Sequence, residues 1–118
     1  MPFQVRVSRN PEFVLVEVSG PASMSELATL IATMSEQTKA AGDKRAVVDL
    51  QGVVGTLSFT DHFQIGHYVS RQMRHLERLA SIVPPDKITR TSEKVATSMG
   101  MNLRVFTRLE DALNWIVE

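Results

Sequence analysis

An α/β domain with a mixed, mostly parallel five-stranded sheet and about four helices is the architecture this sequence predicts, on three observations. Short runs rich in β-branched residues alternate with stretches whose apolar residues recur three or four apart, the pattern of strands joined by helical crossovers. The first two strand runs instead follow one another across a polar turn, which makes an N-terminal hairpin. The run at residues 46–50 (AVVDL) does not alternate with polar residues, as expected of a central strand covered on both faces. A length of 118 residues suits one domain, spanning 1–118, with one core.

In chain order, residues 3–8 set Phe3, Val5 and Val7 against Gln4, Arg6 and Ser8, and residues 13–19 form the second strand, with Arg9, Asn10, Pro11 and Glu12 as the turn between them. Gly20 and Pro21 are expected to break that strand. Ser23 followed by Glu26 reads as a capping box opening a helix, whose apolar face is Leu27, Leu30, Ile31, Met34 and Ala41 and whose end is Gly42. After the central strand comes a loop over residues 51–57. A long second helix then runs from Ser58 to about Leu76, with Phe59, Phe63, Gly66, Val69, Met73 and Leu76 on one face. Residues 79–83 are a short buried strand stopped by Pro84 and Pro85. Thr91 or Ser92 can cap a third helix carrying Val95, Ala96 and Met99 and ended by Gly100. Residues 103–106 form the last strand. Thr107 and Glu110 read as another capping box, opening a terminal helix with the face Leu109, Ala112, Leu113 and Ile116 and with Trp115 beside it.

Composition removes several functions. Thirteen basic and thirteen acidic residues cancel, so no whole-molecule field draws the chain onto nucleic acid. The absence of cysteine excludes disulfides, thiolate catalysis and cysteine-ligated metals. No apolar run approaches the ~18 residues of a membrane span, and the opening MPFQVRVSRN lacks a signal-peptide core, so a cytoplasmic protein is expected. His62 and His67 are five apart, and His67 and His75 eight apart, not the helical spacing that puts two rings on one metal. Gly52 and Gly55 lack the partners of a P-loop or dinucleotide loop, and no serine has an arrangement that marks a nucleophile with its base. No cofactor, no metal and no enzymatic activity are expected.

The strand FVLVEVSG, the capped helix after it, VVDLQGV leading to a hydroxyl-bearing helix start, a strand ending near proline and the closing RVF…LEDALNWI together resemble the STAS domains, and among them the SpoIIAA-like branch. The resemblance covers roughly residues 13–117. It implies a non-enzymatic regulatory domain like the anti-sigma factor antagonists, with a protein partner of anti-sigma-factor or kinase type. Those antagonists carry a pattern like DLSGVxxxDSSG, whose first DSSG serine is phosphorylated. Counted from Asp49, Leu50, Gly52 and Val53, Leu57 stands at the family's Asp, Ser58 at the phospho-acceptor, Phe59 at the next hydroxyl and Thr60 at the Gly. Of the four, the serine is retained. The departures point to the STAS-like branch, some of whose members resemble the CRAL-TRIO lipid-binding fold, and so to an alternative: a small apolar-ligand or lipid-binding module in which the second helix stands away from the sheet.

The candidate site is therefore the loop and helix start. Ser58 reads as an N-cap and, through the resemblance, as a phospho-acceptor, with Thr60 as a weaker substitute. Gly55, Leu57, Phe59, Asp61, His62 and Phe63 make the partner or ligand surface; Phe59 and Phe63 read as core by periodicity, with Phe59 at the helix mouth as the alternative exposed anchor. Arg71, Arg74, Arg78, Lys87 and Arg90 outnumber nearby acids and read as a solvated face or as a basic docking patch for an acidic partner. An open edge strand would allow a homodimer.

Overall fold

The computed structural model describes residues 3–118. The hairpin pairs β1 (Gln4–Arg9) with β2 (Val14–Pro21), and α1 (Met24–Ala41) leads to β3 (Arg45–Val54). Then come α2 (Phe59–Gln72), β4 (Arg78–Ile82), a 3-10 turn (Pro85–Lys87), α3 (Thr91–Ser98), β5 (Leu103–Phe106) and α4 (Leu109–Ile116). The five strands lie in chain order β1-β2-β3-β4-β5, antiparallel in the first pair and parallel in the rest. This is the predicted mixed, mostly parallel sheet. Because each parallel strand is added on the same side of the last, right-handed crossovers put α1, α2 and α3 on one face. Val14, Val16, Val18, Ala46, Val48 and Leu79 pack against that layer, and Val47, Ala80 and Ile82 pack against α4 on the other.

Two strands outrun their expected ends. Pro21 does not break β2; it pairs with Val54, and the next residue, Ala22, donates its N–H to the Val54 carbonyl at 2.7 Å. Successive N–H groups of a strand point to opposite sides, so the donor that proline lacks falls on the side away from β3. Residues 51–54, expected in a loop, continue β3 through a one-residue bulge between Asp49 and Gly52, opposite Glu17 and Ser19, where the backbones approach so closely that a Cβ on Gly52 would lie 2.8 Å from that of Ser19.

The helix ends need more correction. Ser23 caps α1 by accepting the Glu26 N–H, but the Glu26 carboxylate accepts the Phe3 N–H instead of closing the box. The buried face of α1 continues through Ser35 and Thr38, leaving Ala41 exposed; Gly42 ends the helix at φ 73° as predicted. Helix α2 stops at Gln72, and Met73 and Leu76 stay buried in the turn beyond it. Neither Thr91 nor Ser92 caps α3, whose N-cap is Arg90 in left-handed backbone at φ 60°. Thr107 does not cap α4: Arg108 holds that position and pairs with Glu110 at 3.3 Å, so no box forms. The buried face of α4 is Ala112, Trp115 and Ile116, with Leu109 turned outward.

The two sheet edges differ. On β5, the outward backbone of Val105 is satisfied by side chains: its N–H donates to Glu93 Oε2 at 2.6 Å and its carbonyl accepts from Arg90 Nη1 at 3.2 Å. An Arg90–Glu93 ion pair at 3.1 Å joins the two. On β1, Val5 and Val7 lie opposite Val18 and Val16, hence on the α1 face, yet remain 47% and 40% exposed.

Helix α1 meets the turn after α2 through Thr38 and His75. Thr38 Oγ1 donates to the Met34 carbonyl at 2.7 Å and so accepts from His75 Nε2 at 2.6 Å, leaving the buried Nδ1 without a partner among the described residues. Burial, then Lys39 and Lys44, lower the His75 pKa below 6.5 against an opposing Asp43. Between the folded and unfolded values the unfolded chain binds more protons, so stability rises with pH there and falls on acidification below about 6.5. Urea midpoints at pH 7.5 and 5.5 should therefore drop for the parent and drop less for His75→Asn. An equal drop in both would remove His75 as the cause.

Candidate functional site

The carboxyl ends of β3, β4 and β5 open on one edge of the sheet, where connecting loops leave backbone and short side chains accessible. After Val54 the chain turns at Gly55, with φ 91°, and enters α2. Ser58 is its N-cap and the box closes both ways: Ser58 Oγ accepts the Asp61 N–H at 3.1 Å, and Asp61 Oδ2 accepts the Ser58 N–H at 3.2 Å. Ser58 and Thr60 are both exposed. The sequence reading of Ser58 as a cap holds, and Asp61 is its reciprocal partner.

The six residues of the predicted surface separate by direction. Phe59 and Phe63 are not core; the two residues are 72% and 43% exposed, and the Phe63 ring leans on the His67 ring at 4.9 Å. They lie outside because the packed face of α2 is set further along by Gly66, Val69 and Ser70, where α3 approaches. Leu57 and His62 turn inward, and Gly55 joins them around a cavity of about 250 Å³ beneath the first turns of α2. Burial lowers the His62 pKa, against a smaller opposing effect of Asp61. Leu27, Leu50, Ile65 and Val105 supply apolar wall, and Ser81, Ile88 and Thr89 close it from the β4 side. Sequence reasoning misses these last three; a lone apolar Ile88 in a polar connection is the signal that marks them.

The five basic candidates do not form one patch. Arg78 begins β4 and donates to the Trp115 carbonyl at 2.6 Å, whereas Lys87 and Arg90 follow its other end, about 13 Å away at strand rise. Arg74 donates to the Met99 carbonyl at 3.0 Å, and Arg90 is held by Glu93 and Val105. Arg71 is exposed on α2. Lys87 lines the cavity rim, donating to the Val53 carbonyl at 3.2 Å. Among the described residues no cluster of three or more His, Cys, Asp or Glu side chains is placed to hold a metal, and no helix is long and apolar enough to cross a membrane.

The comparisons with known proteins agree with this architecture. A family model described as SpoIIAA-like matches residues 13–117. Among solved structures, the chain is similar to an anti-sigma factor antagonist from Mycobacterium paratuberculosis, at a TM-score of 0.68 and 16% identity over 98% of this chain and 95% of that one. It is similar to a Shewanella loihica protein described as having a SpoIIAA-like fold, at 0.58 and 17% over 98% and 93%. The phosphorylated form of the Bacillus cell fate determinant SpoIIAA matches at 0.54 and 18% over 97% and 98%. A search of the curated proteins returns no match.

Proposed function

The chain belongs to the SpoIIAA-like family, and from that membership we propose that it is a non-enzymatic regulatory domain that docks a protein partner, of anti-sigma-factor or kinase type, through the first turns of α2. The observation that carries this reading is the pair of rings there, Phe59 at 72% and Phe63 at 43% exposure, beside an accessible capped serine. Large aromatics in solvent cost free energy unless a partner covers them, and buried aromatics dominate interface energies. The similarity to anti-sigma factor antagonists, one of them in a phosphorylated form, supports the choice of partner and of Ser58 as the switch.

The capping box gives that switch a mechanism. A phosphate on Ser58 Oγ would stand at the positive end of α2, which favours it, but next to the Asp61 carboxylate that now accepts the Ser58 N–H. Repulsion displaces Asp61 and adds about two negative charges beside the exposed rings. Titration of anti-sigma-factor and kinase candidates should find Phe59→Ala at least about tenfold weaker than the parent, with stability within about 0.5 kcal/mol. Ser58→Glu should weaken the same interaction. Parent-like affinity in both variants would end the docking reading.

The cavity favours a second reading, a small apolar-ligand module. Helix α2 does not stand away from the sheet along its length, since Val69 and Ser70 are buried; the gap lies under its N-terminal turns. The exposed valines of β1 favour pairing of two copies along that edge.

A further inference from the structure

The cavity wall is mostly apolar on the α1, β3 and α2 sides, where Leu27, Leu50, Leu57 and Ile65 face it beside the single polar ring of His62, and an apolar group fits such a wall better than water, which needs two or more polar partners. Its volume of about 250 Å³ corresponds to about eight groups the size of a water or a methylene at roughly 30 Å³ each. The rim adds charge. Lys87 is half-buried, and its ammonium donates one hydrogen bond, to the Val53 carbonyl, out of three it can make. Among the described residues it has no ion pair, although Asp86, its neighbour in the chain, also lines the cavity. Arg90, also on the rim, is already neutralised by Glu93. Lys87 is thus the cation at this mouth with donors to spare.

We propose that this cavity is a binding site for a compact amphipathic monocarboxylate, an apolar body of about eight carbon-sized groups inside and its carboxylate on the Lys87 ammonium. It rests on the apolar-ligand reading of this cavity and names the ligand class, and nothing in it depends on the docking reading, because Phe59 is not part of the wall. The body is a short aliphatic chain or an aromatic ring, and two probes separate them.

The test is an amide-shift titration of the isotope-labelled full chain with octanoate and, separately, phenylacetate. At least one acid should give saturable shifts confined to the cavity lining, residues 22–27, 50–65, 81–92 and 105, and the one that binds identifies the body. Octan-1-ol on the parent, and octanoate or phenylacetate on Lys87→Met, should bind at least about tenfold more weakly, because the charged contact is missing. Ile65→Trp, which fills the hollow, should abolish saturation. Phe59→Ala should bind as the parent does, so failure of the docking reading leaves this result intact. Absence of saturation with both acids, shifts scattered over the surface, or octan-1-ol binding as tightly as octanoate would overturn the proposal; the last comparison needs no variant to fold.

Discussion

Trp115→Ala is expected to lower the unfolding free energy by about 3–5 kcal/mol, the range for emptying a large aromatic site in a core. Trp115 is the largest side chain under α4. It is 7% exposed, packs with Val47, Ala80, Ile82 and Ile116, and meets the Phe106 ring at 5.7 Å. The guanidinium groups of Arg78 and Arg104 each lie 5.2 Å from its ring centroid. Each of those contacts is worth about 0.5–2 kcal/mol, so the lost volume outweighs them. A domain of this size has about 5–15 kcal/mol in all, and the substitution removes a large part of it. Urea denaturation checks this, and a loss below about 1.5 kcal/mol would mean that α4 contributes little to holding the sheet. Arg78, which sequence offers as a docking cation, is committed to this site by its bond to the Trp115 carbonyl.

Gly66→Ala should destabilise the chain by about 2 kcal/mol although alanine is the better helix former. A Cβ at Gly66 would come within 2.7 Å of the Val95 Cβ and 2.8 Å of the Ser92 carbonyl oxygen. The helical preference returns about 1 kcal/mol, whereas overpacking costs typically 1–3 and more when the obstacle is backbone. Ser92 belongs to α3 and cannot yield without moving that helix away from α2. A neutral or stabilising result in the same urea experiment would show that the two helices slide apart freely.

Local pattern carries most of the architecture because strand and helix periodicities are local properties. The hairpin, the non-alternating central strand and the last strand at residues 103–106 are all read correctly. What fails depends on competition between distant groups. Ahead of a helix, the serine or threonine followed three residues later by an acid occurs at Ser23, Ser58 and Thr107, and its three outcomes differ. At Ser58 it closes; at Ser23 the acid is taken by the Phe3 N–H; before α4 the acid is taken by Arg108. Phe59 and Phe63 follow the helical period but overrun the length of α2 that α3 covers, which periodicity cannot express. Sequence marks the candidate site as one stretch, residues 55–63, and does not divide it into the two faces that the structure shows. Its inner face needs Ser81 and Ile88, which sheet topology brings to Leu57 from more than twenty residues away.

The ion pair lying along β5 limits which edge of the sheet can accept another strand. Strand addition needs an edge whose backbone groups are unclaimed, and on β5 the outward groups of Val105 are already taken by Arg90 and Glu93, while β1 keeps exposed valines. A building block with one joining end cannot polymerise. Copies meeting edge to edge through β1 would use up that end on both sides and stop at two, and an open-ended fibre of continuous sheet would first have to break the Arg90–Glu93 clamp.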